Sequence, residues 1–576
     1  MSRATSGSAS VSRRQSVCGR DTETKMNVIA GLAALVLASV LCANSSAVAW
    51  TPPSGIPAPP FGIDEVVPAV PNPWLTSAPG FYYVDKSNPV ATDSGNTYGA
   101  PALPRRTIPL SLPAGSVVEL HGLYDEPHNS PRGLVVNGTK AAPVFIRGTS
   151  ATTKPVITGY WQVSGSYFVL ENLEFAAAGG YAGRNQLYIL APIGFAVLRF
   201  SDVHGALDHG GINVTSFSTS TVSNAVIYAN TIHDNGDVNA TYDQDVHGIA
   251  VGARVNNLWI IDNEIYRSSG DGIQINAGQT DQATTHHIYV GRNRSHHNKQ
   301  SGMWTKQAVD LVFSQNVIHS HRPGNSSGGA CTGFQYAPHR VWFLFNQIFD
   351  CDYGIGTGSD SGLGFGTESY FIGNVISRIH HSGSYNPGTG WSNAAISLPG
   401  GVNRYVVSNT MFDVDAGIVS PGSTGAVYMS NNVIAGVTED QGAHIFLEMA
   451  PLSAASSMHR SLLDNPVRIK WGTGTVYTLS GFKTAFPGQG TGSINGEPLF
   501  VNPTTYDLRL QSGSPGIDAG VAESVYQTFY NLYGIDIAKD AAGVVRPQGA
   551  AYDMGAYAFG TTGSMRPPAP SNPTVR

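Results

Sequence analysis

Between residues 200 and 435 short apolar runs alternate with polar turns, and the alternation itself repeats. Run after run closes on Asn-x-apolar: Asn230-Thr231-Ile232, Asn263-Glu264-Ile265, Asn316-Val317-Ile318, Asn346-Gln347-Ile348, Asn374-Val375-Ile376, Asn409-Thr410-Met411 and Asn432-Val433-Ile434. Asn293 is a weaker copy and Ser201-Asp202-Val203 an earlier one. From Asn230 the spacings are 33, 30, 23, 30, 28, 35 and 23 residues. A second signature, Gly-apolar-x-apolar, follows at Gly211, Gly248 and Gly272, and in shorter form at Gly302, Gly333, Gly354 and Gly417. Such a period marks a stacked array. A unit of 23 residues has room for two or three short strands, whereas a propeller blade needs four strands and about 40 residues. One coil of a parallel β-helix fits. Coils stack about 4.8 Å apart, inward positions form apolar ladders, and each repeated Asn can hydrogen-bond its copies above and below. The expected fold is all-β, a single-chain parallel β-helix followed by an irregular C-terminal β segment.

Composition agrees with this. Charged residues make up 12 % of the 576-residue chain, half the usual share of roughly 25 %. A surface covered instead by Asn, Ser, Thr and Gly excludes a coiled coil, a helical bundle or a disordered polyelectrolyte. The net charge of -6 offers no basic face for nucleic acid.

Residues 1–49 read as an export signal. Arg13, Arg14, Arg20 and Lys25 precede the apolar run from Val28 to Leu41, and Ala47-Val48-Ala49 is an A-x-A cleavage site. The run falls short of the roughly 20 residues that span a bilayer, so no membrane insertion is expected once it is removed. Met26 is an alternative start that would lose the basic stretch, and Leu41 before Cys42 is too bulky for lipoprotein processing. Removal takes five basic and two acidic residues and leaves a formal charge of -9. Cys331 and Cys351 remain, an even pair suited to an oxidising compartment. The expected product is a secreted or periplasmic monomer. Its layout is a Pro-rich lead-in at 50–79, the β-helix at 80–454, a C-terminal β segment or cap at 455–562 and a flexible tail at 563–576.

Alternation along the Gly-apolar strands assigns faces. Residues one and three after the glycine point inward; those just before it, and two and four after it, point outward. Stacked coils then build an outer surface from His247, Ala250 and Gly252; Asp271, Gln274 and Asn276; Ser301, Trp304 and Lys306; Thr332, Gln335 and Ala337. From ladder Asn to Gly takes nine residues in the coils of Asn263 and Asn293, but 18 in that of Asn230 and 17 in that of Asn316. The coil of Asn374 has a further insertion, through His380-His381 to Trp391. Long loops thus wall a floor of two short coils, the kind of place where binding sits. An outward Trp beside a Lys and amides suits a sugar. Three residues past successive ladder positions stand His204, His233, Tyr266, His296 and His319, expected as a stack of rings. Cys331 and Cys351 begin adjacent coils and suit a disulfide with Cα atoms about 5.5 Å apart.

The repeats over residues 80–435 resemble the right-handed parallel β-helix superfamily typified by pectate lyases. The opening, with Tyr82-Tyr83-Val84-Asp85, Arg105-Arg106-Thr107-Ile108 and Ala114-Gly115-Ser116-Val117-Val118, resembles the first coil of its secreted members. The segment with Pro498-Leu499-Phe500-Val501, Ser514-Pro515-Gly516-Ile517-Asp518-Ala519-Gly520 and Asp553-Met554-Gly555-Ala556-Tyr557 is similar to the C-terminal part of many bacterial secreted β-helix proteins. The fold hosts lyases, hydrolases, epimerases, esterases and adhesins, so function rests on the site. As in some β-helix lyases, Lys306 at a strand end implies a base that takes the proton α to a uronate carboxylate and starts β-elimination. His247, Asp271, Gln274 and Asn276 would then bind the uronate, with Trp304 and Gln335 on the substrate; the partner arginine of such lyases has no evident counterpart. Tyr242-x-x-Asp245-x-His247 resembles the Tyr/Asp/His cluster of mannuronan C5-epimerases, with Asp-Val-His in place of Asp-Pro-His. Asp208, Asp243 and Asp245 are candidate ligands for Ca²⁺, which takes six to eight oxygens and would bridge an acidic protein to a polyuronate. A polysaccharide lyase leads; an epimerase, a glycoside hydrolase and a non-catalytic glycan-binding β-helix are the alternatives. The Asn-Thr-Asp and Asp-Asp motifs of β-helix hydrolases do not occur.

Overall fold

A computed structural model describes residues 50–562 except 71–73, 75–78, 129–132, 177–186, 243, 326, 359–367, 383–392, 423–424, 439–442 and 473. The export signal, the tail and Asp243 therefore lie outside the described residues.

The coil order is seen in His247–Val251, Val255–Ile261 and Glu264–Tyr266, one strand in each of three sheets. The next coil repeats it with Ile273–Asn276, His286–Gly291 and Arg294–His296. Pairing between coils is parallel and in register: Ile249 faces Ile273, Leu258 faces Ile288 and Ile265 faces Ser295. The first sheet runs from Leu134–Asn137 to Ile469–Trp471, and the second from Phe81–Val84 to Ser457–His459. The third has 14 strands, from Leu123–Tyr124 to Ile494–Asn495. The coil is right-handed, as parallel crossovers almost always are. Inside, the sheets enclose one continuous apolar core. Ile212, Ile249, Ile273, Met303, Ile355, Ile396, Ile418 and Ile445 form one buried ladder. Phe313, Phe343 and Phe371 form another, their rings 5.1 and 5.6 Å apart.

A buried asparagine ladder fixes the corner between the second and third sheets. From Asn230 through Asn263, Asn293, Asn316, Asn346, Asn374 and Asn409 to Asn432, each side-chain carbonyl but the first accepts from both the backbone N–H and the Nδ2 of the preceding Asn. Each Nδ2 also donates to a strand carbonyl one coil back, as Asn316 does to Val290 at 2.9 Å. The residue before each ladder Asn is left-handed, from Ala229 (φ 54) to Asn431 (φ 54), and bends the chain so that the amide turns inward. An asparagine serves because it offers an acceptor and two donors to a turn that water cannot reach.

The third sheet carries the expected ring stack on its outer side. His204, His233, Tyr266, His296 and His319 stack at 5.0 to 5.1 Å, and Phe349 continues the column at 4.7 Å. Three of the histidines meet a carboxylate one coil earlier: His204 with Glu174 at 3.2 Å, His233 with Asp202 at 3.1 Å and His296 with Glu264 at 3.3 Å. These pairings raise the His233 pKa, chiefly through Asp202, and lower that of Glu264, chiefly through His296. At His319 the corresponding neighbour is Arg294, through Val317 of its own coil. Burial, helped by the surrounding cations, lowers His319 to about 3.

Residues 52–65 of the lead-in form a strap along the outside of the second sheet. Ser54 N–H donates to Gln315, Trp259 Nε1 donates to the Pro57 carbonyl at 2.8 Å, and Arg199 holds the carbonyls of Gly62, Ile63 and Glu65. The strap lies there because the outward positions of that sheet are themselves apolar; Gly62 sits against Val197 and Val226. Farther along, helix Ser524–Tyr533 covers Trp342 with Phe529, rings 4.8 Å apart. The coils also run on past residue 454, and the C-terminal part is not β alone. Helices Ala450–Ala455 and Leu479–Ala485 interrupt it, and Phe482 of the second packs on Trp471 at 5.1 Å over the last coil. Cys331 and Cys351 form a disulfide between successive coils, with Cα atoms 5.7 Å apart.

Two stability predictions follow from these ladders. Asn316→Ala removes the acceptor of Asn293 and the donor to Val290, and should cost about 3 kcal/mol in denaturant unfolding; a loss below ~0.5 kcal/mol would show that the ladder is dispensable. The second concerns pH. The unfolded chain protonates a histidine near pH 6.5, but folded His319 stays neutral down to about 3. Its contribution is therefore complete above pH 6.5 and falls with acidification, by about 2 kcal/mol at pH 5. His319→Phe, which extends the Phe349 ring type by one coil, should shrink the stability loss between pH 7 and 5 by that amount; an unchanged loss counts against the assignment.

Candidate functional site

Four strands of the first sheet, His247–Val251, Ile273–Asn276, Met303–Lys306 and Ala330–Gln335, make the predicted outer surface, the middle two being the floor. One outward row reads Ala250, Gln274, Trp304, Gly333; the next holds Asn276, Lys306 and Gln335. Matching Gly302 with Gly333 predicts Trp304 opposite Gln335 and Lys306 opposite Ala337. The structure shifts the last strand by two residues, so that Met303 faces Thr332 and Thr332 turns inward, fully buried. The interior ladder decides this, since Thr332 carries Met303 on to Ile355. A two-residue shift preserves the face, so Gln335 stays outward, now directly beside Lys306. Gly333 in turn makes room for the indole of Trp304, which lies over it; a Cβ there would come 2.6 Å from Cζ3. Trp304 is half-buried, its ring reaching from Gly333 to Gly356.

Lys306 is half-buried with its Nζ 5.6 Å over the ring of Tyr336. The segment Gln279–Thr284 leaves the coil just before it, and Gln282 reaches across to donate to the Ala337 carbonyl. That arch encloses the turn after Lys306. Tyr336 and Gln282 were not legible as site residues, since each reaches this place from another coil, Tyr336 from the next one and Gln282 by a contact that spans two. On this edge Arg254 pairs with Asp281 at 2.8 Å.

The opposite edge is a connected polar network. Asp271, 3 % exposed, accepts from Ser301 Oγ at 2.6 Å and from Gln274 Nε2 at 3.0 Å. Its backbone N–H donates to His247 Nδ1 at 3.0 Å. Nδ1 is thus an acceptor, and the proton of the ring sits on Nε2, which faces Asp245 Oδ1 at 3.5 Å. Asp245 also accepts from Gln300 at 3.0 Å. Lys299 donates to the carbonyls of Ala240 at 2.6 Å and Tyr242 at 2.7 Å, and Asn325 donates to that of Thr241 at 2.7 Å. The two wall loops therefore meet at this corner. The Tyr242 side chain is exposed and its hydroxyl accepts from Gln244 at 3.5 Å.

The sequence-selected residues thus fall into two groups. His247, Asp245, Asp271 and Gln274 share one hydrogen-bonded edge; Asn276, Lys306 and Gln335 line the other, with Trp304 in the row between. Five residues separate Asp271 from Asn276, roughly 16 Å of extended strand. Of the carboxylates considered for calcium, Asp243 lies outside the described residues. Asp208 pairs with His209 of its own loop at 2.5 Å, Asp245 takes Gln300, and the described residues contain no cluster of three or more metal-ligating side chains. Arg-Ile-Lys, a motif of β-helix hydrolases, occurs once, at Arg468-Ile469-Lys470 in the last coil; there Arg468 donates to the Val437 carbonyl and Lys470 lies over Phe446.

No family model and no curated protein matches the chain. Among solved structures it is similar to pectate lyase Pel9A, at 13 % identity over 83 % of this chain and 96 % of that one, with a TM-score of 0.39. It is similar to XylC in complex with xylose, at 11 % identity over 84 % and 99 %, with a TM-score of 0.45. The A-module of the Azotobacter vinelandii mannuronan C-5 epimerase AlgE4 matches at 17 % identity over 54 % of this chain and 91 % of that module, with a TM-score of 0.39. The likeness is one of fold.

Proposed function

We propose that this β-helix is an exported polysaccharide lyase that binds a uronate-containing glycan on the floor of its first sheet and cleaves it by β-elimination. The disulfide supports an oxidising compartment, and no described helix is long and apolar enough to cross a membrane. The observation that carries the reading is Lys306, held on a rigid strand between Asn276 and Gln335 with Trp304 alongside. Lys306 and Lys299 are the only lysines between Val156 and Pro466, and Lys299 is bound to loop carbonyls. In the proposed step the Lys306 ammonium, which draws the carboxylate in, first gives a proton to solvent, and the amine so formed takes the C5 proton α to the carboxylate. The C5–H electron pair becomes the C4=C5 double bond, and the C4–O bond breaks toward the leaving sugar, whose oxygen is protonated from solvent. Asn276 and Gln335 can donate to the substrate carboxylate as charge builds on it, and Trp304 packs a sugar face. Calcium enters only as a condition to be varied.

The second reading is a C5-epimerase built on Tyr242, Asp245 and His247. What favours it is the fixed tautomer of His247, which aims an N–H at Asp245. The two readings part on one measurement. Absorbance of the unsaturated product is followed on a panel of polyuronates and glycosaminoglycans, with calcium added or chelated, for wild type and Lys306→Ala. The expected result is a signal that falls about 10³-fold in the variant. A signal that survives the substitution removes Lys306 as base. Silence across the panel sinks the elimination, and proton exchange at C5 without chain cleavage would then establish the epimerase.

A further inference from the structure

The two edges of the floor carry opposite charge, and this bears on the repeat unit of the glycan. We propose that the floor selects a polysaccharide in which a uronate alternates with an uncharged sugar, so that all carboxylates face one edge. The inference deepens the lyase reading and rests on it.

The Lys306 edge is positive. Lys306 stands with two neutral amides, Asn276 and Gln335, while Arg254 and Asp281 cancel as a pair at 2.8 Å. The far edge is negative. Asp271 is buried beneath it, and Asp245, its side chain 57 % exposed, stands over it. His247 between them accepts a backbone N–H at Nδ1 and so carries no charge in this arrangement. Lys299, held on the carbonyls of Ala240 and Tyr242, keeps its charge and offsets one of the two carboxylates, leaving the edge negative by one. Burial keeps the Asp271 charge from being screened as surface charges are.

In an extended chain of equatorially linked sugars, successive rings turn over by about half a turn. A homopolyuronate lying across the coils would therefore point every second carboxylate at Asp245 and Asp271. Like charges facing across an interface discriminate strongly against such a ligand. An uncharged sugar in that register presents hydroxyl or amide donors instead, and carboxylates accept from these. The same arrangement answers how a protein of formal charge -9 engages an acidic polymer: it meets the carboxylates on one side only, at Lys306.

The test compares binding and cleavage on two polymers of matched length. One is polymannuronate, a homopolyuronate linked equatorially at both ends; the other is unsulfated chondroitin, in which a uronate alternates with an N-acetylhexosamine. Titration calorimetry at physiological salt should show the alternating oligosaccharides bound roughly tenfold more tightly. Asp271→Asn should narrow that gap by improving the homopolyuronate. Asp245→Asn, at an exposed side chain, should do the same and covers the case in which the buried variant does not fold. Equal or tighter binding of polymannuronate, or binding of neither polymer, overturns the proposal. Preference for the alternating polymer without unsaturated product sinks the elimination reading, while product formed without preference sinks this inference alone.

Discussion

Everything in this chain depends on a buried turn that repeats without error. Coils about 4.8 Å apart must satisfy their backbone polar groups against the coil above and below, because at the interior corner no water can do so. The asparagines from 230 to 432 meet that demand with one acceptor and two donors each, and the left-handed residue before each one aims it. Once that corner is fixed, strand length and direction follow on both sides of it. The other corners are then free to vary, which is why loops of very different length can leave between the third and first sheets without disturbing the stack.

The division of labour between corners explains what could be read from the sequence. Features tied to the period were legible: the ladder, the ring column from His204 to His319, and the disulfide between Cys331 and Cys351 all recur at or beside the repeat. Features that depend on one coil leaning on another were not. Gly302 and Gly333 look equivalent in sequence, yet Gly333 faces Trp304 because Thr332 is needed inside. Tyr336 and the Gln282 arch reach Lys306 from other coils. The helix at Ser524–Tyr533 was hidden for a related reason. Its apolar residues Val525, Tyr526 and Phe529 have helical spacing, but what makes them a helix in place is the apolar outer face of the second sheet.

That outer face sets a further constraint. A β-helix buries its interior by construction, but the outward row through Val197, Val226, Trp259 and Trp342 is apolar too and needs its own cover. The strap at 52–65 covers the earlier coils and the C-terminal helix the later ones. The strap and the helix thus both cover the second sheet, while outward rows of the first sheet carry polar and aromatic side chains such as Gln274, Trp304, Lys306 and Gln335.

The floor's chemistry follows from the same rigidity. Parallel strands in register hold Asn276, Lys306 and Gln335 side by side at the spacing of the coils, without a hinge or a loop to move them. Alternation places Asp271 and Ser301 at the near end of those strands, where Gln274 and His247 complete the network. A flexible site could relax to bring an anion and a cation together; this one cannot, since each is anchored to a strand whose register the asparagine corner fixes. The separation of Lys306 from Asp271 across the floor is thus set by the fold rather than by a side-chain conformation.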